Sequence, residues 1–199
     1  MAIVAAILAG GKGARMGGRK PERELRGRSL LKWVAACARA QTSLIAVVVR
    51  GKNPTAVAGV RVLRDDPHLL GPIAGLKTAL VWARREGATW LLTLPCDTPF
   101  APSDLAARLR CAADGARAPA SLASSGDLLH PACALWRTDL GESLDAYAES
   151  GRSSLTGLAE AVGYVAVDWP TLPLDPFFNI NTLADLAESE RIAAHAHLE

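Results

Sequence analysis

Short apolar runs alternate along this chain with stretches whose apolar residues recur at helical spacing. Ala2–Leu8, Ser43–Val49, Val60–Leu63 and Trp90–Leu94 are near-continuous runs of aliphatic residues, the pattern of strands buried on both faces. Ser29–Gln41 places Leu31, Val34, Ala35 and Ala38 on one helical face, with Ser29 positioned as its N-cap. Gly71–Glu86 carries Pro72 just inside its start and Gly87 just past its end, the asymmetry expected of a helix. Ser103–Ala113 is predicted helical as well, capped by Ser103 and closed near Gly115. Downstream the pattern predicts a strand near His130–Trp136, helices over Thr138–Glu149 and Ser154–Ala161, and a strand at Tyr164–Val167. A last helix starts at Thr182, where Thr182 and Asp185 form a variant of the capping box. Ala118–Asp127, small and polar, reads as the most mobile loop.

Repeated strand–helix–strand order predicts an α/β fold: a mostly parallel sheet with helices on both faces. In such sheets ligands bind beyond the carboxyl ends of the strands, at the point where strand order reverses. A chain of 199 residues, half of them hydrophobic, reads as one domain over residues 1–197 with a sizeable core. The final Leu198-Glu199 reads as a cloning scar. A net charge of +2 gives no reason to expect a nucleic-acid partner. No apolar stretch has the length of a membrane span, and a cytoplasmic enzyme is expected. The four cysteines lie far apart without a C-x-x-C pair, so neither a zinc site nor a disulfide framework is indicated. Cys37 and Cys111 fall within apolar helical patterns and are expected in the core.

The richest chemistry follows the first strand. Gly10, Gly11, Gly13, Gly17 and Gly18 are interspersed with Lys12, Arg15, Arg19 and Lys20, with no acid among them. Glycines let backbone N–H groups approach phosphate oxygens, and the cations neutralise them. Two common nucleotide motifs are excluded. A Walker loop from Gly13 to Gly18 requires Lys and Ser/Thr next, where Arg19 and Lys20 stand. A dinucleotide fingerprint from Gly11 requires glycine at the position of Met16.

Three further segments complete the candidate site. In Pro95-Cys96-Asp97-Thr98-Pro99-Phe100, an aspartate at a strand end is fenced by two prolines, a rigid hard-oxygen ligand suited to Mg²⁺; a turn cap is the weaker reading, since capping does not need the strand-end position. Asp65, at the end of the third strand, can accept from a ribose hydroxyl or a purine edge, and Gly71 and Gly75 allow backbone near a ligand. In Asn179-Ile180-Asn181-Thr182, two amides at a spacing of two lie on one side of extended chain, able to read a heterocycle or phosphate or to open a helix. His130-Pro131 precedes a strand and reads as structural more readily than catalytic.

Taken in order, Leu8-Ala9-Gly10-Gly11 with Arg15-Met16-Gly17-Gly18 and Lys20, Gly71-Pro72-Ile73-Ala74-Gly75, Pro95 to Phe100, His130-Pro131 and Asn179 to Thr182 resemble the molybdopterin nucleotidyltransferases, most closely the molybdenum cofactor guanylyltransferase family. The resemblance spans essentially the whole chain. It implies a Rossmann-like three-layer domain that joins GMP from GTP to the phosphate of molybdopterin, with Mg²⁺, releasing pyrophosphate. It further implies transient contacts with other cofactor-biosynthesis proteins or with acceptor enzymes. Carried over by residue, it assigns Leu8, Ala9, Gly10 and Gly11 to nucleotide contacts, Arg15 and Lys20 to phosphate, and Asp65 to nucleotide. Asp97 takes metal and nucleotide, and Asn179 and Asn181 face the pterin. The chain departs from the family at Arg19-Lys20, apparently one residue shorter, where Arg19 can share the work of Lys20, and at Arg50, where relatives carry Asn. Related cytidylyltransferases use Leu-Ala-Ala-Gly and Asp-Met-Pro, so Leu8-Ala9-Gly10-Gly11 and Asp97-Thr98-Pro99 point to GTP. Cytidylyl transfer, another small-molecule nucleotidyltransferase and a non-catalytic GTP-binding protein remain the alternatives.

Overall fold

The computed structural model describes residues 2–10, 20–50 and 57–195. Seven strands form one sheet in the order β5-β4-β1-β6-β8-β7-β9. They are β1 (Ile3–Leu8), β4 (Ile45–Val49), β5 (Arg61–Arg64), β6 (Trp90–Pro95), β7 (Ala120–Ser125), β8 (Leu128–Arg137) and β9 (Val165–Trp169). Only β8 runs against its neighbours; the β1–β4, β4–β5, β1–β6 and β7–β9 pairs are parallel. A two-stranded hairpin, β2 (Glu24–Leu25) and β3 (Arg28–Ser29), precedes the first helix. Its turn puts Arg26 and Gly27 at φ 51° and 71°, both positive, as a tight hairpin turn requires.

The predicted period of two is realised on both sheet faces. Ala5 and Ile7 of β1, with Ile45, Val47 and Val49 of β4, pack under α1 (Leu30–Gln41) and α3 (Leu105–Ala116). Val4, Ala6, Ala46 and Val48 point the other way, into α2 (Pro72–Arg85), α4 (Gly141–Glu149) and α5 (Leu155–Val162). The result is the expected α/β/α arrangement. A smaller cluster of Leu25, Leu30, Trp33 and Ile180 joins the hairpin to α6 (Leu183–His195) through Leu186. No described helix is long and apolar enough to cross a membrane.

Helix ends follow the predicted caps with one exception. Ser29 accepts from the Lys32 N–H and Ser154 from the Gly157 N–H. Thr182 Oγ1 accepts from the Asp185 N–H at 3.1 Å while Asp185 Oδ2 accepts from Thr182 N–H at 2.8 Å, a reciprocal box. Ser103 does not cap α3. That helix starts at Leu105 after Asp104, whose carboxylate instead accepts from the indole N–H of Trp169 at 3.1 Å.

Two expectations are corrected. Ala118–Asp127 is not a loop: Ala120–Ser125 is the buried strand β7. Its small residues let α3 lie close, and its hydroxyls find acceptors, Ser121 on the Leu109 carbonyl at 2.8 Å and Ser125 on Asp175 at 2.9 Å. Cys111 is exposed and Cys37 half-buried, whereas Cys96 and Cys133 are the buried thiols. Helical period alone does not settle which edge of a helix faces the sheet. Replacing Asp185 with Ala removes both carboxylate bonds of the box and is expected to lower stability by about 1 kcal/mol, read from a thermal or urea melt.

Candidate active site

Four parallel strands end along one edge of the sheet, and their successors line a common cleft of about 380 Å³. Leu8 ends β1 and Gly10 follows it, Arg50 follows β4, Asp65 follows β5, and Cys96 and Asp97 follow β6. The chain steps from β1 outward to β4 and β5, then returns to β6 on the far side of β1. The cleft lies at that reversal, where open α/β sheets bind ligands. Gly71, Pro72 and Gly75 at the start of α2 close one wall, and Ala132 and Leu155 the other.

Asp65 is the most constrained group in the cleft. Its N–H donates to the Val49 carbonyl at 3.0 Å, extending the β4–β5 ladder and fixing its backbone. Its side chain packs over two glycines. A Cβ on Gly10 would lie 2.7 Å from Oδ2, and one on Gly75 3.2 Å from Oδ1. Oδ1 is buried with no hydrogen-bond partner among the described residues. Burial raises the pKa of this carboxyl above its ordinary value, and the nearby positive charge of Arg50 offsets part of that rise. A buried acceptor left without a donor is costly, and bound ligands commonly supply the missing donor at such positions. Gly71, at φ 68°, has a second reason to lack a side chain: a Cβ would meet Ser153 at 2.9 Å.

Asp97 occupies the turn after β6. The Cys96 N–H donates to the Leu8 carbonyl at 3.2 Å, and the Ile180 N–H to the carbonyl of Asp97 itself at 3.0 Å. The turn is thus held from both sides and its carboxylate opens on the cleft. Among the described residues no cluster of three or more His, Cys, Asp or Glu could hold a metal alone. A single cleft carboxylate could hold Mg²⁺ only with its remaining ligands from water and substrate.

The amides lie on an irregular strap at 175–181, not on a strand as expected. Asn179 Oδ1 accepts from the Thr98 hydroxyl at 2.7 Å, next to Asp97, while the Asn181 backbone N–H donates to Asp185. His130 anchors the same strap. Its ring stacks on Phe177 with centroids 4.8 Å apart, and its Nε2 lies 2.7 Å from Ser125 Oγ, which in turn donates to Asp175. Burial lowers the pKa of His130 despite the adjacent Asp175. With the serine proton committed to Asp175, this is a structural pin and no nucleophilic triad, as the sequence favoured.

Gly11 and Arg15 fall outside the described residues. Lys20 opens a 3₁₀ turn (Lys20–Glu22), its side chain not described. Leu8, Gly10, Asp65 and Asp97 line the cleft together, whereas Ala9 is buried in the core with its N–H bonded to the Val48 carbonyl at 2.8 Å. Sequence reasoning missed Arg50, Ala132 and Leu155 as lining. Arg50 stands just past β4, so the strand-end rule applied to every strand finds it. A larger open groove of about 610 Å³ shares Asp65 but runs along edge strand β5. Much of its charge is spent internally, Arg61 on Glu86 and Lys77 on Asp66 and Asp145, which makes the switch-point cleft the better site.

An α/β/α domain with acidic strand-end residues at its switch point defines a nucleotide-binding class of fold. Residues 5–162 match the model of the MobA-like NTP transferase domain. Molybdenum cofactor guanylyltransferase of Cereibacter sphaeroides is 40% identical over 195 residues, covering 96% of this chain and 97% of that one. The protein of the same name from Acidiphilium cryptum is 41% identical over 191 residues, covering 94% and 93%. The crystal structure of molybdopterin-guanine dinucleotide biosynthesis protein A from Archaeoglobus fulgidus superposes with a TM-score of 0.77 at 23% identity, covering 98% and 100%. The chain belongs to the MobA-like NTP transferase family and is a nucleotidyltransferase.

The burial of Asp65 sets a pH signature. A raised carboxyl pKa means the folded state binds more protons than the unfolded state from about pH 4 upward, so stability falls as pH rises through that window. Asp65→Asn is therefore expected to melt higher than the parent at neutral pH and to lose that advantage below about pH 4, while its nucleotide affinity drops. Melting curves across pH, paired with nucleotide titration calorimetry, check both halves.

Proposed function

We propose that this protein transfers GMP from GTP to the terminal phosphate of molybdopterin, releasing pyrophosphate and forming the guanine dinucleotide form of the cofactor. The observation that carries this reading is near-full-length similarity to molybdenum cofactor guanylyltransferases, with Asp65 and Asp97 facing one cleft. Leu8, Ala9, Gly10 and Gly11 give the nucleotide its backbone contacts, and Asp65 supplies its unpartnered oxygen to a donor on the base or ribose. Arg15 and Lys20 neutralise the β- and γ-phosphates, Asp97 holds Mg²⁺, and Asn179 and Asn181 face the pterin.

The chemistry suits this equipment. An oxygen of the pterin phosphate bonds to the α-phosphorus of GTP, while the bond from that phosphorus to the bridging oxygen breaks and pyrophosphate departs. The nucleophile is already an anion, so no strong general base is needed. The barrier lies in bringing anions together and in charge growing on the leaving group, which alignment and fixed cations lower. Bound Mg²⁺ supplies additional positive charge at the phosphates.

Gly10 supports guanine over cytosine as the base. The alanine that cytidylyltransferase motifs carry here would collide with the Asp65 carboxylate in this geometry. Purified protein incubated with molybdopterin and either GTP or CTP decides the matter by mass spectrometry of the product and by pyrophosphate release. GMP-bearing product is expected; product from CTP alone overturns the assignment of the base. Asp97→Ala is expected to fold normally and to lose at least about a thousandfold in turnover at saturating Mg²⁺. Parent-rate turnover by that variant would remove the metal role from Asp97.

A further inference from the structure

Behind the cleft wall, the turn carrying Asp97 and the strap carrying Asn179 are joined at two neighbouring points. One is the Ile180 N–H on the Asp97 carbonyl at 3.0 Å; the other is the Thr98 hydroxyl on Asn179 Oδ1 at 2.7 Å. Thr98 is fully buried and Asn179 exposed, so the second bond runs from core to surface. Thr98 Oγ1 is the donor and Asn179 Oδ1 the acceptor, so the amide oxygen is the inward atom. A hydroxyl carries one proton, and the proton of Thr98 is committed to Asn179 Oδ1. An amide held by its oxygen turns its NH₂ outward, and that group can only donate.

We propose that Thr98 is a positioning residue: it fixes the amide of Asn179 so that the strap offers N–H donors, and no acceptor, to the second substrate. The group that meets Asn179 is therefore a hydrogen-bond acceptor, such as a phosphate oxygen or a pterin carbonyl, and not a ring N–H. This rests on the proposed function, in which Asn179 faces the pterin. It adds a polarity to that contact and names the buried residue that sets it. It also explains why a hydroxyl is buried beside the cleft with its one proton aimed at the surface.

Two variants separate orientation from shape. Thr98→Val keeps the volume and removes the hydroxyl; Thr98→Ser keeps the hydroxyl. In the uniformly ¹⁵N-labelled full chain, without substrate, the side-chain NH₂ signals of Asn179 are expected to exchange quickly with water and to shift in Thr98→Val but not in Thr98→Ser. A slowly exchanging Asn179 NH₂ proton in the parent, directed at Thr98, overturns the proposal. In steady-state assays Thr98→Val is expected to raise the KM for molybdopterin about tenfold, with the KM for GTP within about twofold and Thr98→Ser restoring both. An unchanged KM for molybdopterin, or KM values rising together, overturns it as well. Should Thr98→Val fail to fold, Asn179→Asp serves in its place: a carboxylate cannot donate, and the KM for molybdopterin must rise while that for GTP holds. An unchanged value there sinks the idea. The amide signals need no turnover, so a parent protein that makes no dinucleotide counts against the proposed function and leaves the orientation of Asn179 standing.

Discussion

One carboxylate organises the cleft. Asp65 is pressed against the Cα atoms of Gly10 and Gly75 with an oxygen that no described residue satisfies. Neither glycine is needed there for a positive φ; what each supplies is the absence of a side chain. The two glycines come from different elements, one past β1 and one in the first turn of α2, so the contact locks strand, helix and carboxylate into one wall. The cost is a charge partly removed from water, which the positive charge of Arg50 offsets only in part. Natural proteins keep such unfavourable groups where binding repays them, and here the group lies at the switch point of the sheet.

The second constraint is the joining of the Asp97 turn to the strap. Asp97 belongs to the nucleotide half of the sheet, whereas Asn179 arrives from beyond β9 at its far edge. Bonds from Ile180 and Thr98 bring them together, and Asp175, Ser125, His130 and Phe177 pin the other end of the strap. The two substrates of a transfer reaction must meet within bonding distance, and a small error in their relative position costs rate steeply. A strap fixed at both ends to the same sheet holds Asn179 rigidly beside the Asp97 turn.

Much of the architecture was legible from local pattern. Runs such as Ile45–Val49 announce strands buried on both faces, and Pro72 with Gly87 brackets a helix, because these signals depend on nearest neighbours and on backbone chemistry. Thr182 and Asp185 cap α6 as their spacing predicts for the same reason. The strand β7 was invisible. Ala-Ser-Leu-Ala-Ser-Ser has loop composition, and only the closeness of α3 and the distant acceptors Leu109 and Asp175 make it a good strand. The start of α3 differs as well: it lies at Leu105 after Asp104, whose carboxylate accepts from Trp169, far along the chain, and makes no cap bond.

The candidate residues divide along the same line. The amino-acid sequence by itself determined which groups can do the chemistry: glycines that admit phosphate, cations that neutralise it, aspartates at strand ends and amides near the C-terminus. These are properties of residue type and spacing. Tertiary structure alone decided that Asp65 rests on Gly10 and Gly75, that Arg50 joins the cleft, and that Asn179 turns its oxygen toward Thr98. These contacts join different elements, Gly10 with Asp65 and Thr98 with Asn179 far apart in sequence, and only the sheet order and the packing of helices upon it bring them together.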